Sequence, residues 1–127
     1  MTDAKASNPL ALIVEDDEKL SVIFTQAVKQ AAFETDTARD GREAQEKLSR
    51  LTPALVVLDL HLPDISGATI LREIRKTPHL AKVQVILATA DPAMADSLEG
   101  QSDLVLIKPV SFTQLRDLAA RLRTQMV

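Results

Sequence analysis

Residues 54–67 read ALVVLDLHLPDISG. The first five, Ala54 to Leu58, are wholly aliphatic, as expected of a parallel strand covered on both faces. Asp59 closes the run, and a stretch rich in turn formers follows it. A helix then runs from about Gly67 to Lys76, burying Leu71 and Ile74, and ends at Thr77-Pro78. A buried strand passing through a turn into an amphipathic helix is half of a βα repeat.

The same unit recurs on either side. Leu10 to Val14, Val83 to Ala88 and Leu104 to Ile107 are equally aliphatic, and a weaker run lies at Phe33 to Ala38. Glu18 to Ala32 carries Leu20, Ile23, Phe24, Ala27 and Ala31 at helical spacing. A helix after Asp40 and Gly41 turns Ala44, Leu48 and Leu51 inward and stops before Pro53. Asp91 and Pro92 open a short fourth helix of about two turns before Gly100. Ser111 and Gln114 form an S-x-x-Q capping box for the last, which carries Leu115, Leu118, Ala119 and Leu122. Five strands alternating with five helices predict an α/β fold. It is a doubly wound (βα)5 sheet of five parallel strands, flavodoxin-like, in the order 2-1-3-4-5 with helices on both faces.

The 127 residues fit one domain, with residues 1–9 reading as a flexible polar tail and residues 10–127 as the folded body. Cysteine is absent, which excludes disulfides, thiolate metal sites and thiol nucleophiles. A net charge of −3, with three Phe and no Trp or Tyr, argues against direct nucleic-acid binding. No apolar run approaches the roughly 20 residues of a bilayer span, and the start lacks the pattern of a signal peptide. A cytoplasmic protein with no membrane partner is expected.

In a doubly wound sheet, ligands gather beyond the carboxyl ends of the strands, at the switch point between strands 1 and 3. The residues there are Glu15, Asp16 and Asp17 after strand 1, Asp59 after strand 3, Thr89 after strand 4 and Lys108 after strand 5. Singly, each has a plain structural reading: helix caps for the acids, a turn for Asp59, a cap for Thr89, a solvated charge for Lys108. Convergence at one edge favours a shared site. Oxygen ligands without His or Cys at metal spacing suit Mg²⁺, and phosphoryl transfer needs such a cation, a fixed positive charge and a hydroxyl donor. Lys108 and Thr89 supply the last two. Asp59, alone at the end of the central strand, is the candidate nucleophile.

With VEDD, VVLDLHLPDISG, ILATA and LIKP in this order at strand ends, the sequence resembles the receiver domain of bacterial response regulators, the phosphoacceptor half of two-component signalling. The resemblance covers roughly Leu10 to Leu122, and strand order 2-1-3-4-5 is that family's own. It implies Asp59 as phosphoacceptor, Asp16 as direct Mg²⁺ ligand, Glu15 as a ligand through water, and the His61 backbone carbonyl as a further ligand. Thr89 and Lys108 would contact the phosphoryl group, Ala90 would keep the site open, and the bond into Pro109 would be cis. Asp17 is left as the cap of the first helix. The implied donor is a sensor histidine kinase, a histidine phosphotransfer protein or a small acyl phosphate. The chain would catalyse only its own phosphorylation and dephosphorylation, and would not act as an enzyme on other substrates. Partners, including a second copy in a homodimer, would read the face from strand 4 to helix 5.

Two departures bear on that face. Val105 stands where the family usually has Tyr or Phe, and the segment from Thr89 to Lys108 is short. They leave open an alternative, a receiver-fold binding module that works without phosphorylation. A phosphohydrolase would place a second Asp two residues after the nucleophile, where this chain has His61. His61 is expected at the rim of the site, and His79 in a surface turn.

Overall fold

The aliphatic runs become the strands of one parallel sheet: β1 (Leu10–Val14), β2 (Glu34–Ala38), β3 (Leu55–Asp59), β4 (Gln84–Thr89) and β5 (Leu104–Ile107). Their order is β2-β1-β3-β4-β5, as expected from the sequence. The computed structural model describes residues 8–98 and 100–126. Most of the tail expected over residues 1–9 lies outside them; within them, the Pro9 carbonyl already accepts from Glu34 N at 2.9 Å.

Alternation along the strands sorts the core into two layers. Leu12, Val14, Val56, Leu58, Val85 and Leu87 face α2 (Gly41–Arg50) and α3 (Gly67–Lys76), together with Leu98 beyond the short α4 (Pro92–Asp96). Ala11, Ile13, Leu55, Val57, Ile86 and Ala88 face Phe24, Ala27 and Val28 of α1 (Glu18–Gln30) and Leu115, Ala119 and Leu122 of α5 (Phe112–Thr124). Two covered faces explain why β1, β3 and β4 are aliphatic at nearly every position, whereas edge strand β2 reads ETDTA.

Each helix start is fixed by a side-chain oxygen that accepts one of the orphan N–H groups of the first turn. Asp17 accepts from Leu20 N, Asp40 from Glu43 N, Ser66 from Ala68 N, Asp91 from Met94 N and Ser111 from Gln114 N. Asp17 is therefore the cap that the sequence suggested. Of the capping box in α5, the Ser111 half is formed.

Several boundaries move. α1 stops at Gln30, with Ala31 as cap and Ala32 at φ 74°, so the chain turns two residues before the expected end. Leu51 is a half-buried cap residue of α2 and not an inward helical position. Asp59 and Thr89 are the last residues of their strands, paired within the sheet. α4 has five residues, shorter than the two turns expected. Pro78–Leu80 forms a 3-10 turn, in which exposed His79 places Nε2 2.9 Å from the Leu48 carbonyl.

Arg75 of α3 ties down the stretch that enters β5. It donates to the carbonyls of Gln101 at 2.6 Å and Val83 at 2.8 Å, and pairs with Asp103 at 3.1 Å. Asp103 in turn accepts from Val85 N at 2.7 Å.

Candidate functional site

The order β2-β1-β3 makes β1 and β3 neighbours whose following helices leave on opposite sides, which opens a crevice at their carboxyl ends. Glu15 continues β1 by one residue, its N–H donating to the Ala38 carbonyl at 3.0 Å. That pairing buries its side chain to 2% exposure, while Asp16 beyond it is exposed. Asp59, 4% exposed, points into the same crevice from the end of β3. One carboxylate oxygen from each of Glu15, Asp16 and Asp59 lies within 4.8 Å of the other two.

Lys108 reaches them from the far edge of the sheet. Its N–H donates to the Thr89 carbonyl at 2.8 Å, extending the β4–β5 ladder one residue past Ile107. The Lys108–Pro109 bond is cis, as the resemblance implied. The ammonium donates to Glu15 Oε1 at 3.0 Å and stands 3.5 Å from Asp59 Oδ2. Glu15 Oε2 accepts from Asp17 N at 3.1 Å, and Asp59 Oδ1 from His61 N at 3.0 Å.

Burial pushes the Glu15 carboxyl above the usual range, against the lowering influence of Lys108 and the Asp17 N–H. Burial would lower the Lys108 ammonium, but its contacts with Glu15 and then Asp59 outweigh that and leave it raised. Lys108 thus pairs with Glu15 and Asp59, and with Asp16 beside them the acids of the crevice outnumber its cation among the described residues.

Thr89 is wholly buried at the end of β4, one residue past Ala88, the register partner of Asp59. Its Oγ1 accepts from Asp91 N at 3.0 Å, which leaves the hydroxyl proton free for another acceptor. His61 is exposed at the rim, with Nε2 3.8 Å from Asp91 Oδ2. Ala90, which follows Thr89, is exposed.

The structure thus gathers Glu15, Asp16, Asp59 and Lys108 into direct neighbourhood, with Thr89 and His61 at adjoining strand ends. Three further residues shape the site. Gly67 packs so closely under Asp59 that a Cβ would lie 2.2 Å from the Asp59 carbonyl oxygen. Asp91 faces His61, and Asp64 bonds to the start of α2. The sequence marks Gly67 only as a helix start and Asp64 only as a turn former, because their partners are brought near by folding.

The donor set is all oxygen, so it fits a hard divalent cation such as Mg²⁺ and not a thiolate-seeking metal. Uncompensated carboxylates in a crevice open through Asp16 are what such an ion would neutralise.

A doubly wound 2-1-3-4-5 sheet with an acidic triad and one lysine at its switch point defines a flavodoxin-like domain with an acidic crevice that could hold a metal ion. The chain belongs to the response regulator receiver domain family, whose sequence profile matches residues 11–120. It is 33% identical over 110 residues to the phosphate regulon transcriptional regulatory protein PhoB of Rhizobium meliloti, covering 84% of this chain and 48% of that protein. The chain therefore spans about half the length of that relative. Among solved structures, it is similar to the signal receiver domain of a Luxo repressor protein from Vibrio parahaemolyticus, with TM-score 0.80 and 29% identity over 93% of this chain and 94% of that one. The receiver domain of a signal transduction histidine kinase from Syntrophus aciditrophicus gives TM-score 0.81 and 30% identity over 93% and 92% of the two chains. The family is that of two-component signalling, in which a phosphorylation switch is the standard role. Among the described residues, no helix is long and apolar enough to cross a membrane.

Proposed function

We propose that residues 10–127 form a cytoplasmic receiver unit whose Asp59 accepts a phosphoryl group from a sensor histidine kinase, a histidine phosphotransfer protein or a small acyl phosphate. The observation that carries this reading is the buried Asp59 carboxylate set between Lys108 and two further acids at the β1/β3 switch point. An Asp59 oxygen attacks phosphorus, the bond from phosphorus to the donor's imidazole nitrogen or acyl oxygen breaks, and the donor leaves with that electron pair. The product is an aspartyl phosphate on this chain and a freed donor, with no other substrate turned over.

Asp16, Asp59 and the His61 backbone carbonyl would hold Mg²⁺, with Glu15 acting through water. When bound, the ion supplies positive charge to the carboxylates and the phosphoryl oxygens. Lys108, held by Glu15, contributes a second fixed positive charge beside Asp59, and the Thr89 hydroxyl a hydrogen bond. Phosphorylation adds charge that draws Lys108 and Thr89 toward Asp59. Asp91, bonded to the Thr89 hydroxyl and capping α4, carries that movement to the five-residue helix. Partners, a second copy among them, read the adjoining face, where Val105 and Ile107 are exposed.

A second reading, a binding module that works without phosphorylation, is favoured by one observation. At 40% exposure, Val105 occupies the aromatic readout position without a ring to switch. Incubation with Mg²⁺ and acetyl phosphate separates the two. A Mg²⁺-dependent, acid-stable, hydroxylamine-labile adduct in intact mass, lost in Asp59→Asn, supports the phosphoacceptor. No adduct while Mg²⁺ binds supports the module, and donor turnover far beyond the protein concentration would indicate a hydrolase.

A further inference from the structure

The loop from Leu60 to Ser66 joins β3 to α3 and carries the His61 carbonyl. It is closed at its base, where Gly67 N donates to the Leu60 carbonyl at 3.0 Å and His61 N to Asp59 Oδ1 at 3.0 Å. Its crown is fixed by Asp64. Although that side chain belongs to an exposed residue, it accepts three backbone N–H bonds: Gly41 at 2.8 Å and Ile65 at 2.8 Å on Oδ1, and Arg42 at 3.0 Å on Oδ2. Two of these cross 22 and 23 residues of sequence, to the first turn of α2. Helix α2 already has its own cap, since Asp40 accepts from Glu43 N at 2.8 Å. Asp64 therefore takes donors that Asp40 leaves free.

The contact is built for close approach. A Cβ on Gly41 would lie 2.6 Å from Ile65 Cβ and 3.1 Å from Asp64 Oδ1, so the absence of a side chain at 41 lets the loop seat on the helix. Leu62 and Ile65 anchor the same loop in the core layer beneath. Lost hydration raises the Asp64 carboxyl, but the N–H bonds from Gly41, Arg42 and Ile65 outweigh it and hold it below the usual range.

We propose that Asp64 is a positioning residue for the cation site: by tying the β3–α3 loop to the start of α2, it fixes the His61 backbone carbonyl beside Asp59. This rests on the metal assignment proposed above. A carbonyl cannot be removed by substitution, so its placement depends on the residues that hold its loop, as outer partners orient the ligands of metal sites generally.

The test compares Asp64→Ala, Asp64→Asn and Asp40→Ala with the wild-type protein. Asp64→Ala weakens Mg²⁺ binding by about tenfold in isothermal titration, the lower end of what loss of an outer partner costs. Its phosphorylation rate from acetyl phosphate recovers at saturating Mg²⁺. Asp64→Asn, which keeps one acceptor oxygen, falls between. Asp40→Ala also destabilises the start of α2 but leaves Mg²⁺ affinity at the wild-type value, a separation that a merely helix-stabilising role for Asp64 would not give. Without metal, amide exchange at His61 is about tenfold faster in Asp64→Ala and unchanged in Asp40→Ala. Equal weakening by Asp40→Ala, or wild-type affinity and His61 exchange in Asp64→Ala, would overturn the proposal. A wild-type protein that binds no Mg²⁺ would overturn the metal assignment instead, while the exchange comparison still decides whether Asp64 anchors the loop.

Discussion

Neutralising Asp16 should stabilise the metal-free protein. Its carboxylate approaches those of Glu15 and Asp59 to within 4.8 Å. Two like charges at that distance repel by about 1 kcal/mol at the dielectric of water and by about 3 kcal/mol near a protein surface. Asp16 is exposed, so the lower figure applies to each pair. Lys108 contacts Glu15 and Asp59 and offsets about half of the sum, leaving a net gain of about 1 kcal/mol for Asp16→Asn. For a chain of this length that is a rise of about 4 °C in Tm. Thermal melts in EDTA measure it, and because the pairs are solvent-accessible the gain should shrink in about 1 M salt. In Mg²⁺ at a hundred times its dissociation constant, the wild-type protein gains about 2.7 kcal/mol and the variant little. A lower Tm for Asp16→Asn in EDTA, or an undiminished Mg²⁺ response in the variant, would refute the charge reasoning.

Gly67→Ala should lower Tm by about 4–10 °C, because its Cβ would meet the backbone of Asp59 and Leu60, which cannot rotate away; an unchanged melt would contradict that packing. In Asp36 the bonds from Lys47 Nζ and Thr37 N outweigh the effect of burial and lower the carboxyl below its usual range. Its stabilisation is therefore complete above the unfolded value of about 3.9 and fades as pH falls through the lower folded value. Urea melts of Asp36→Asn from pH 5 to pH 2, values spanning about that window, should lose less stability on acidification than the wild type. If phosphorylation acts through the short α4, amide exchange across residues 90–98 and 100–103 should change when a phosphoryl mimic binds, and equal exchange would exclude that route.

Much of the site was legible because the chemistry sits at the ends of strands, and strand ends can be found from aliphatic runs. Asp59 and Lys108 each close such a run, and topology alone brings them together. Cap residues were legible for the same local reason: Asp17, Asp91 and Ser111 act on N–H groups three residues away. What escaped depends on contacts between distant segments. Asp64 looks like any turn residue until α2 lies beside it, and Arg75 like a surface charge until Gln101 and Asp103 fold under it. The Pro78–Leu80 turn left no periodic signal, being too short for one. Boundary shifts at Asp59 and Thr89 arise because sheet pairing continues onto polar residues that hydrophobicity excludes.

In the proposed reaction Asp59 is the group modified. The direct measurement is peptide mapping after treatment with Mg²⁺ and acetyl phosphate, followed by borohydride reduction, which converts an acyl phosphate to the alcohol of its side chain. Homoserine is expected at position 59 and nowhere else, and is absent when EDTA replaces Mg²⁺. Reduction at Asp16, Glu15 or another carboxylate with Asp59 intact would contradict it.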